Sequence, residues 1–524
     1  MRDLQGRLLW TRGESLLDGL EQQLAPDETA MRELIGLARD NHRLLAELSR
    51  IRGSKFVGVP RVIDGKVQRA CDRSLAAGAY EAAFRRQGID FMSGDVGDLV
   101  RRMKSNPSPI ALVGMLEDWA LDEARPEPLR RLDRILSLVT DTTWRDGLSA
   151  LAGNPAALEQ RVAALKLTGG PAAEFNRLAR FLDGPARLNL LETAVRFHPD
   201  DFWLHMERAS LYEAGPLCRF AEAAGAYEAA LAVSPDQAIA WFGQGRALQS
   251  MGDDAGAIAC YRKAIRNDSE QIDAQVALST LLLDGGDVTG ALDNAQVAIQ
   301  LNPNHAPAHF AMGLAWRERK DMDQAIEHLR RACELFPECR SMALALQQTE
   351  RWRQLDPLLA DVVAGKQTPA PRQLVDLAEL CLRYHQRNRA ALRLYRDAFA
   401  ADPEIVRDTD GGHAAAAAAA AVAASFARDE ESEHATPEDR AAWRKEALAW
   451  LDAQLQAWLQ VVASQPDKGP VAREALLQWQ KDRVFAAVRD EGPLTSLAAD
   501  EQEPWRRFWA DVAGLTHQWH PHDD

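Results

Sequence analysis

One pattern constrains this chain before any single residue does. Small, bulky and helix-ending residues return about every 34 residues between roughly 202 and 339. The pattern is clearest in Trp241, Gly245, Gly252, Ala257, Tyr261 and Ala264. One period on come Leu278, Leu282, Ala291, Ala295, Ala298 and Pro303, and then His309, Gly313, Trp316, Ala325, Leu329, Ala332 and Pro337. Ahead of these lie Ala209, Tyr212, Ala223, Tyr227, Ala230 and Pro235. Gly245 and Gly313, with Ala209 and Ser279 in equivalent places, mark where one helix closely approaches its mate. Ala257, Ala291 and Ala325 answer from the second helix, and Tyr227, Tyr261 and Leu329 are knobs for the gap to the next copy. Pro235, Pro303 and Pro337 end each second helix, because proline cannot continue it; Ser269 takes that place once. The turns inside the copies are rich in glycine and aspartate, as in Gly252-Asp253 and Gly285-Gly286-Asp287. An insertion near Gly215-Pro216 lengthens the turn of the first copy.

Each copy therefore predicts two antiparallel helices that bury their apolar faces only against neighbouring copies. This register resembles the tetratricopeptide repeat (TPR). The expected fold class is all-α, a TPR-type helical-hairpin solenoid with additional helical N- and C-terminal regions. The expected organisation is a helical segment and linker over 1–65, an all-α region over 66–167 and a degenerate repeat over 168–201. Four TPR units follow over 202–339, then further TPR-like helices over 340–410 and a Trp-rich helical region over 411–524.

In the flanks, Leu34, Leu37, Leu44, Leu45 and Leu48 follow helical spacing. Residues 51–66 are broken by glycine and read as a linker, and no segment shows strand alternation. Tyr80 and Phe84 share a helix face at i, i+4. Leu374 to Asp402 reads as one more helical pair, carrying Ala378, Leu382, Ala391, Tyr395 and Ala398. Asp429 to Glu433 reads as an acidic loop. Thr436-Pro437-Glu438-Asp439 then predicts a helix start with a capping hydroxyl, a first-turn proline and acids near the dipole's positive end. Half of the 14 tryptophans lie beyond residue 440, so that end needs a well-covered core.

Net charge is −15, which leaves no electrostatic footprint for nucleic acid or an acidic membrane. Six cysteines (Cys71, Cys218, Cys260, Cys333, Cys339, Cys381) are scattered without a CxxC and read as buried thiols of a reducing compartment. The start lacks an export signal, and the longest apolar run, Ala414 to Ala424, is too short to span a bilayer. The expected location is the cytoplasm.

Several strings, taken in order, carry a second resemblance. They are Tyr80-Glu81-Ala82-Ala83-Phe84-Arg85, Leu116-Glu117-Asp118-Trp119-Ala120 and His198-Pro199-Asp200-Asp201-Phe202-Trp203. Leu377-Ala378-Glu379-Leu380-Cys381, Leu448-Ala449-Trp450-Leu451 and Trp505-Arg506-Arg507-Phe508-Trp509 follow. From about residue 65 to 517 the chain resembles the non-catalytic C-terminal half of large bacterial serine/threonine protein kinases that carry TPR arrays. It shows no glycine-rich phosphate loop, V-A-I-K strand, H-R-D loop or D-F-G site. The resemblance implies a scaffold in kinase-linked signalling, with a kinase or its substrate as protein or peptide partner. The alternative is the regulatory arm or remnant of a kinase, separated from its catalytic domain. The expectation is no enzyme, no cofactor and no metal; His305, His309 and His328 read as packing residues rather than a zinc site.

The concave face of such an array is lined by positions two, five, nine and twelve of each first helix. The expected partner-binding groove comprises Trp203, Met206, Phe242, Arg246, Val276, Thr280, Phe310, Leu314 and Arg317. These residues suit hydrophobic anchors rather than a carboxylate grip. Two readings stand: the groove receives a partner's peptide or helix, or the chain's own terminal helices cover it.

Overall fold

The structure is a computed structural model and describes residues 10–519 apart from 25–28, 58, 64–65, 71–72, 107, 140–154, 171, 183, 215–218, 410 and 428–434. The Gly215-Pro216 insertion, the acidic stretch 429–433, Cys71 and Cys218 lie outside the described residues. Apart from one short two-stranded hairpin, the described residues form an all-α solenoid of paired, tandem helices. The chain divides into two compact bodies, Met1–Ala315 with Arg331–Cys339, and Trp316–Arg330 with Arg340–Asp524.

In the first body, Phe202–Ala214 pairs with Phe220–Val233, Ala238–Ser250 with Asp254–Asn267, and Ile272–Asp284 with Val288–Leu301. The helices Ala306–Glu318 and Met322–Leu335 follow, and the division between the bodies runs through them. Small residues set the approach of each pair. A Cβ on Gly245 would lie 2.6 Å from Tyr261 Cε1, and one on Gly243 would lie 2.4 Å from Tyr227 Cε1. The two tyrosines therefore press on the helix Ala238–Ser250, one from within the repeat and one from the repeat before. In the next repeat Ser279 replaces the glycine, and its hydroxyl donates to the Ala291 carbonyl at 2.7 Å. That distance requires the two backbones to be almost in contact. The turns are set by Asp253 and Asp287, whose carboxylates accept from the Gly256 and Gly290 amides and cap the second helices.

Ahead of the repeats, Pro155–Thr168, Ala172–Ala179 and Gly184–Phe197 bury Phe175, Leu178, Leu190 and Leu191 together with Leu204. A separate cluster gathers Tyr80, Phe84, Phe91, Leu116 and Trp119. Phe84 stacks on Trp119 with ring centroids 5.8 Å apart. The helix Thr29–Val57 contributes Leu44, Leu45 and Leu48 to that cluster, whereas Leu34 and Leu37 are 60% and 62% exposed.

The linker expected at 51–66 is a correction. The helix Thr29–Val57 runs through Gly53, and the strands Val59–Ile63 and Lys66–Ala70 form an antiparallel hairpin with Ile63 opposite Lys66. Asp64-Gly65 stands between the paired residues in the sequence, and Asp-Gly is a strong hairpin signal. Pro60 and the interleaved charges obscured the alternation around it.

In the second body, Trp352, Leu377, Ala378, Tyr395 and Ala398 share one core. The helix Pro371–Glu379 continues as a π-helix over Leu380–His385, and Asn388–Ala401 follows. The alanine run forms the helix His413–Phe426, with Ala414, Ala417, Ala418, Ala420, Ala421 and Ala424 fully buried. Side chains this small let the helix sit close against Pro437–Ser464, where Trp443, Leu451, Leu455 and Trp458 form the opposing stripe. Thr436 accepts from the Asp439 amide at 3.1 Å and Asp439 accepts from the Thr436 amide at 3.0 Å, a closed capping box. Trp505, Phe508 and Trp509 complete that core. Among the described residues no helix is long and apolar enough to cross a membrane.

Three substitutions test the register by urea denaturation. Ala in place of Gly normally favours a helix by about 1 kcal/mol. At Gly245 the overpacking against Tyr261 outweighs this, because its hydroxyl is anchored 2.8 Å from Gln249 Oε1, so Gly245→Ala destabilises by about 1–3 kcal/mol. Ala257→Arg costs several kcal/mol more, since Ala257 is fully buried. Lys263→Ala removes only an exposed ammonium 4.0 Å above Trp241 and costs about 0.5–1 kcal/mol. Equal midpoints for the three variants contradict the helix pairing.

Candidate protein-interaction groove

The residues expected to line the concave face fall into distinct environments. Met206 and Phe242 are 0% and 1% exposed, and the Phe242 ring packs 5.8 Å from Tyr261. Arg246 is turned inward, where it pairs with Glu213 and lies 5.4 Å from the Phe242 ring. Tyr227 also donates to Glu213, at 2.8 Å. Burial pushes the Tyr227 phenol well up, and the Glu213 charge pushes it the same way. These side chains hold the first two repeats together. Val276, Thr280, Phe310 and Leu314 are half-buried, and the Thr280 hydroxyl donates back to the Val276 carbonyl at 3.0 Å. Arg317 belongs to the second body, with its guanidinium 5.4 Å from the Trp352 ring.

The chain's own helix Thr29–Val57 meets this face at its first two repeats. The Arg52 guanidinium lies 4.3 Å over the Trp203 ring, and its Nε reaches Asp118 at 3.2 Å. Tyr80 donates to the same carboxylate at 2.5 Å. Burial and the Asp118 charge both raise the Tyr80 phenol far above its ordinary value, which keeps it protonated as the donor. One residue on, a Cβ at Gly53 would stand 3.5 Å from Ile239, so any side chain larger than alanine would push the helices apart. At the outer edge, Arg50 pairs with Glu270 at 2.8 Å, both side chains in solvent.

Beyond that crossing, the helix and the first helices of repeats two to four bound a cleft of about 790 Å³. Its repeat side includes Asp236, Ile239, Ile272, Asp273, Asn304 and Pro307. Asp273 and Pro307 are the position-two residues of their helices. Val276 with Thr280, and Phe310 with Leu314, continue the same helix faces at i+3 and i+7. The accessible part of the expected groove thus opens from this cleft, while its beginning lies beneath the chain's own helix. Sequence reasoning missed Arg52 and Gly53 because it placed a linker over 51–66, and missed Arg50 at the end of the helical segment before it. The signal available was a lone glycine inside a basic helical pattern. It also missed Asp236 and Glu270, which stand 34 residues apart in register with Asn304.

The histidines have structural partners. His309 places Nε2 3.0 Å from the Pro303 carbonyl. His205 repeats this with Pro199 at 2.8 Å, and Trp241 Nε1 donates to Pro235 at 2.8 Å. A ring nitrogen at this position ties these three first helices to the carbonyl six residues back. His305 Nδ1 accepts from the Ala308 amide at 3.3 Å. Among the described residues no group of three or more His, Cys, Asp or Glu side chains is arranged to hold a metal ion. Cys260, Cys339 and Cys381 are buried, and Cys333 is half-buried.

The sequence model of the tetratricopeptide repeat matches residues 218–272 and 276–338. The middle of this chain is built of tetratricopeptide repeats. That architecture is the one of non-catalytic TPR scaffolds, which generally bind protein or peptide partners. Among solved structures, the chain is similar to YrrB, described as a TPR protein with an unusual peptide-binding site. The two are 17% identical, with 36% of this chain and 96% of that one covered and a TM-score of 0.31. It is also similar to the C-terminal part of a TPR repeat-containing protein from Cytophaga hutchinsonii, at 16% identity, 44% and 96% coverage and a TM-score of 0.31. MamA is 18% identical, with 29% and 88% coverage and a TM-score of 0.28. At such scores these likenesses carry no further argument. No curated relative matches the chain.

The crossing helix is testable by itself. Arg52→Ala strips a cation from a carboxylate that is only 5% exposed and uncovers Trp203, so stability falls by about 2–4 kcal/mol. Amide exchange over residues 41–57 should quicken along with it. Arg50→Ala, at the exposed pair, changes stability by no more than about 0.5 kcal/mol. If the two variants exchange alike, Arg52 does not fasten the helix.

Proposed function

We propose that this chain is a non-catalytic scaffold that holds a protein or peptide partner on the open part of its concave face. The observation that carries the reading is the half-buried surface of Val276, Thr280, Phe310 and Leu314, on the same helix faces as Asp273 and Pro307, which line the cleft of about 790 Å³. Apolar side chains presented on rigid paired helices act as anchors without first having to be ordered. Trp203, Met206, Phe242 and Arg246 are taken up by packing within the first two repeats and against the helix Thr29–Val57, and Arg317 lies outside this body.

The finer setting is bacterial serine/threonine-kinase-linked signalling in the cytoplasm, with a kinase or its substrate as the partner. Its support is the ordered set of strings from Tyr80-Glu81-Ala82-Ala83-Phe84-Arg85 to Trp505-Arg506-Arg507-Phe508-Trp509. The same strings favour the second reading, a kinase's regulatory arm separated from its catalytic domain.

Affinity purification of the tagged chain from its native cells tests the groove. Phe310→Ala combined with Thr280→Arg should cut recovery of the principal partner at least about tenfold, with the helical circular dichroism unchanged. Undiminished recovery rules the groove out. Calorimetry with magnesium ATP separates the kinase remnant, which binds nucleotide, from the scaffold, which gives no heat.

A further inference from the structure

The scaffold reading leaves open what kind of partner segment the groove selects. The repeat-side wall of the cleft carries four carboxylates, Asp236, Asp268, Glu270 and Asp273. Among its described residues that wall has no lysine or arginine. Apolar side chains, Ile272, Leu335 and Phe336, line the same cleft. Resting on the scaffold reading, we propose that the groove is selective for a basic amphipathic helix of the partner, with its Lys or Arg residues on this acidic wall and its apolar residues on Val276, Phe310 and Leu314.

The first argument is charge complementarity already realised within the molecule. The segment that covers the beginning of the face, Thr29–Val57, lines the cleft with Arg43 and Arg50 and with no acid. Arg50 engages Glu270 at 2.8 Å, and Arg52 covers Trp203. A basic helix is therefore what this wall accommodates in the chain itself.

The second argument is spacing. Asp236 and Glu270 occupy equivalent places in successive repeats, and Asp273 precedes Val276 by one helical turn. Acid and apolar positions thus alternate along the path from the cleft into the groove, which suits a helix with one charged and one apolar stripe. A solvated acidic face on a convex surface would not place apolar side chains in one cleft with its carboxylates.

The third is a polar atom without a partner. Ser49 is only 4% exposed, lines the cleft and has no hydrogen-bond partner for its hydroxyl. A buried hydroxyl in that state favours a ligand that brings a polar group to it. The chain's net charge of −15 works the same way at longer range, steering a cationic segment toward a concave acidic wall.

The test uses the full chain and two fluorescent helical peptides with identical apolar positions, one with lysine and one with glutamate at every polar position. Fluorescence anisotropy should show saturable one-to-one binding of the lysine peptide, weakening as salt rises, and at least about tenfold weaker binding of the glutamate peptide. The combined variant Asp236→Asn, Asp268→Asn and Asp273→Asn should lose at least about tenfold in affinity for the lysine peptide while its melting temperature stays unchanged. Equal binding of the two peptides, no binding of the lysine peptide, or an unaffected triple variant overturns the proposal. If that happens while partner recovery still depends on Phe310 and Thr280, the charge selectivity alone is wrong. If both fail, the scaffold reading of this groove fails with it.

Discussion

The contact of a large ring with a missing side chain is what the first body depends on. Gly243 and Gly245 leave gaps on opposite sides of one helix, and Tyr227 and Tyr261 fill them from the repeat before and from within the repeat. Both rings are fully buried, and both hydroxyls are anchored, to Glu213 and Gln249 respectively. Close helix spacing brings the carbonyl of Ala291 within reach of Ser279, so the same separation that packs carbon also satisfies a polar side chain. Each repeat is thereby fixed to its neighbour at a defined angle, and the concave face inherits that angle.

A rigid face of this kind has consequences for side chains that resemble ligands of a partner. Phe242 and Arg246 sit at groove positions in the register, yet the neighbouring repeat consumes them. Two repeats further on, Phe310 and Leu314 are only partly buried. The helix Thr29–Val57 adds a second layer of selection. It is anchored from behind by Leu44, Leu45 and Leu48 in a separate core, and it reaches the repeats through Arg52 and Gly53. The accessible groove is therefore shorter than the repeat register alone implies, and its entrance is lined by charge.

Much of this was legible in the residues. The repeat, the paired helices, the capping box at Thr436, the aromatic face of Tyr80 and Phe84 and the packed tryptophans all follow from local spacing, because each depends on residues within a few helical turns. The hairpin after Val57 was missed although Asp64-Gly65 marked it, since proline and scattered charges broke the alternation. The alanine run, read from the sequence only as too short to span a bilayer, is a buried helix whose small surface admits Trp443, Leu451 and Trp458 as neighbours. His309 illustrates the middle ground. Its register with Trp241 was plain, but the shared ring-nitrogen to carbonyl tie that makes them interchangeable needed atomic positions.

What the sequence by itself determined is the repeating unit: period, helix ends, small-residue contacts and the all-α class. These are set by backbone propensity and side-chain volume acting over short separations. Only the tertiary structure decided which groove residues are accessible, because that depends on a helix from residues 29–57 meeting repeats about two hundred residues later. Pairings such as Arg50 with Glu270 or Arg52 with Trp203 leave no periodic trace in the sequence. They exist because the packing of the helix Thr29–Val57 against its own cluster brings a cation to an anion and a guanidinium to a ring.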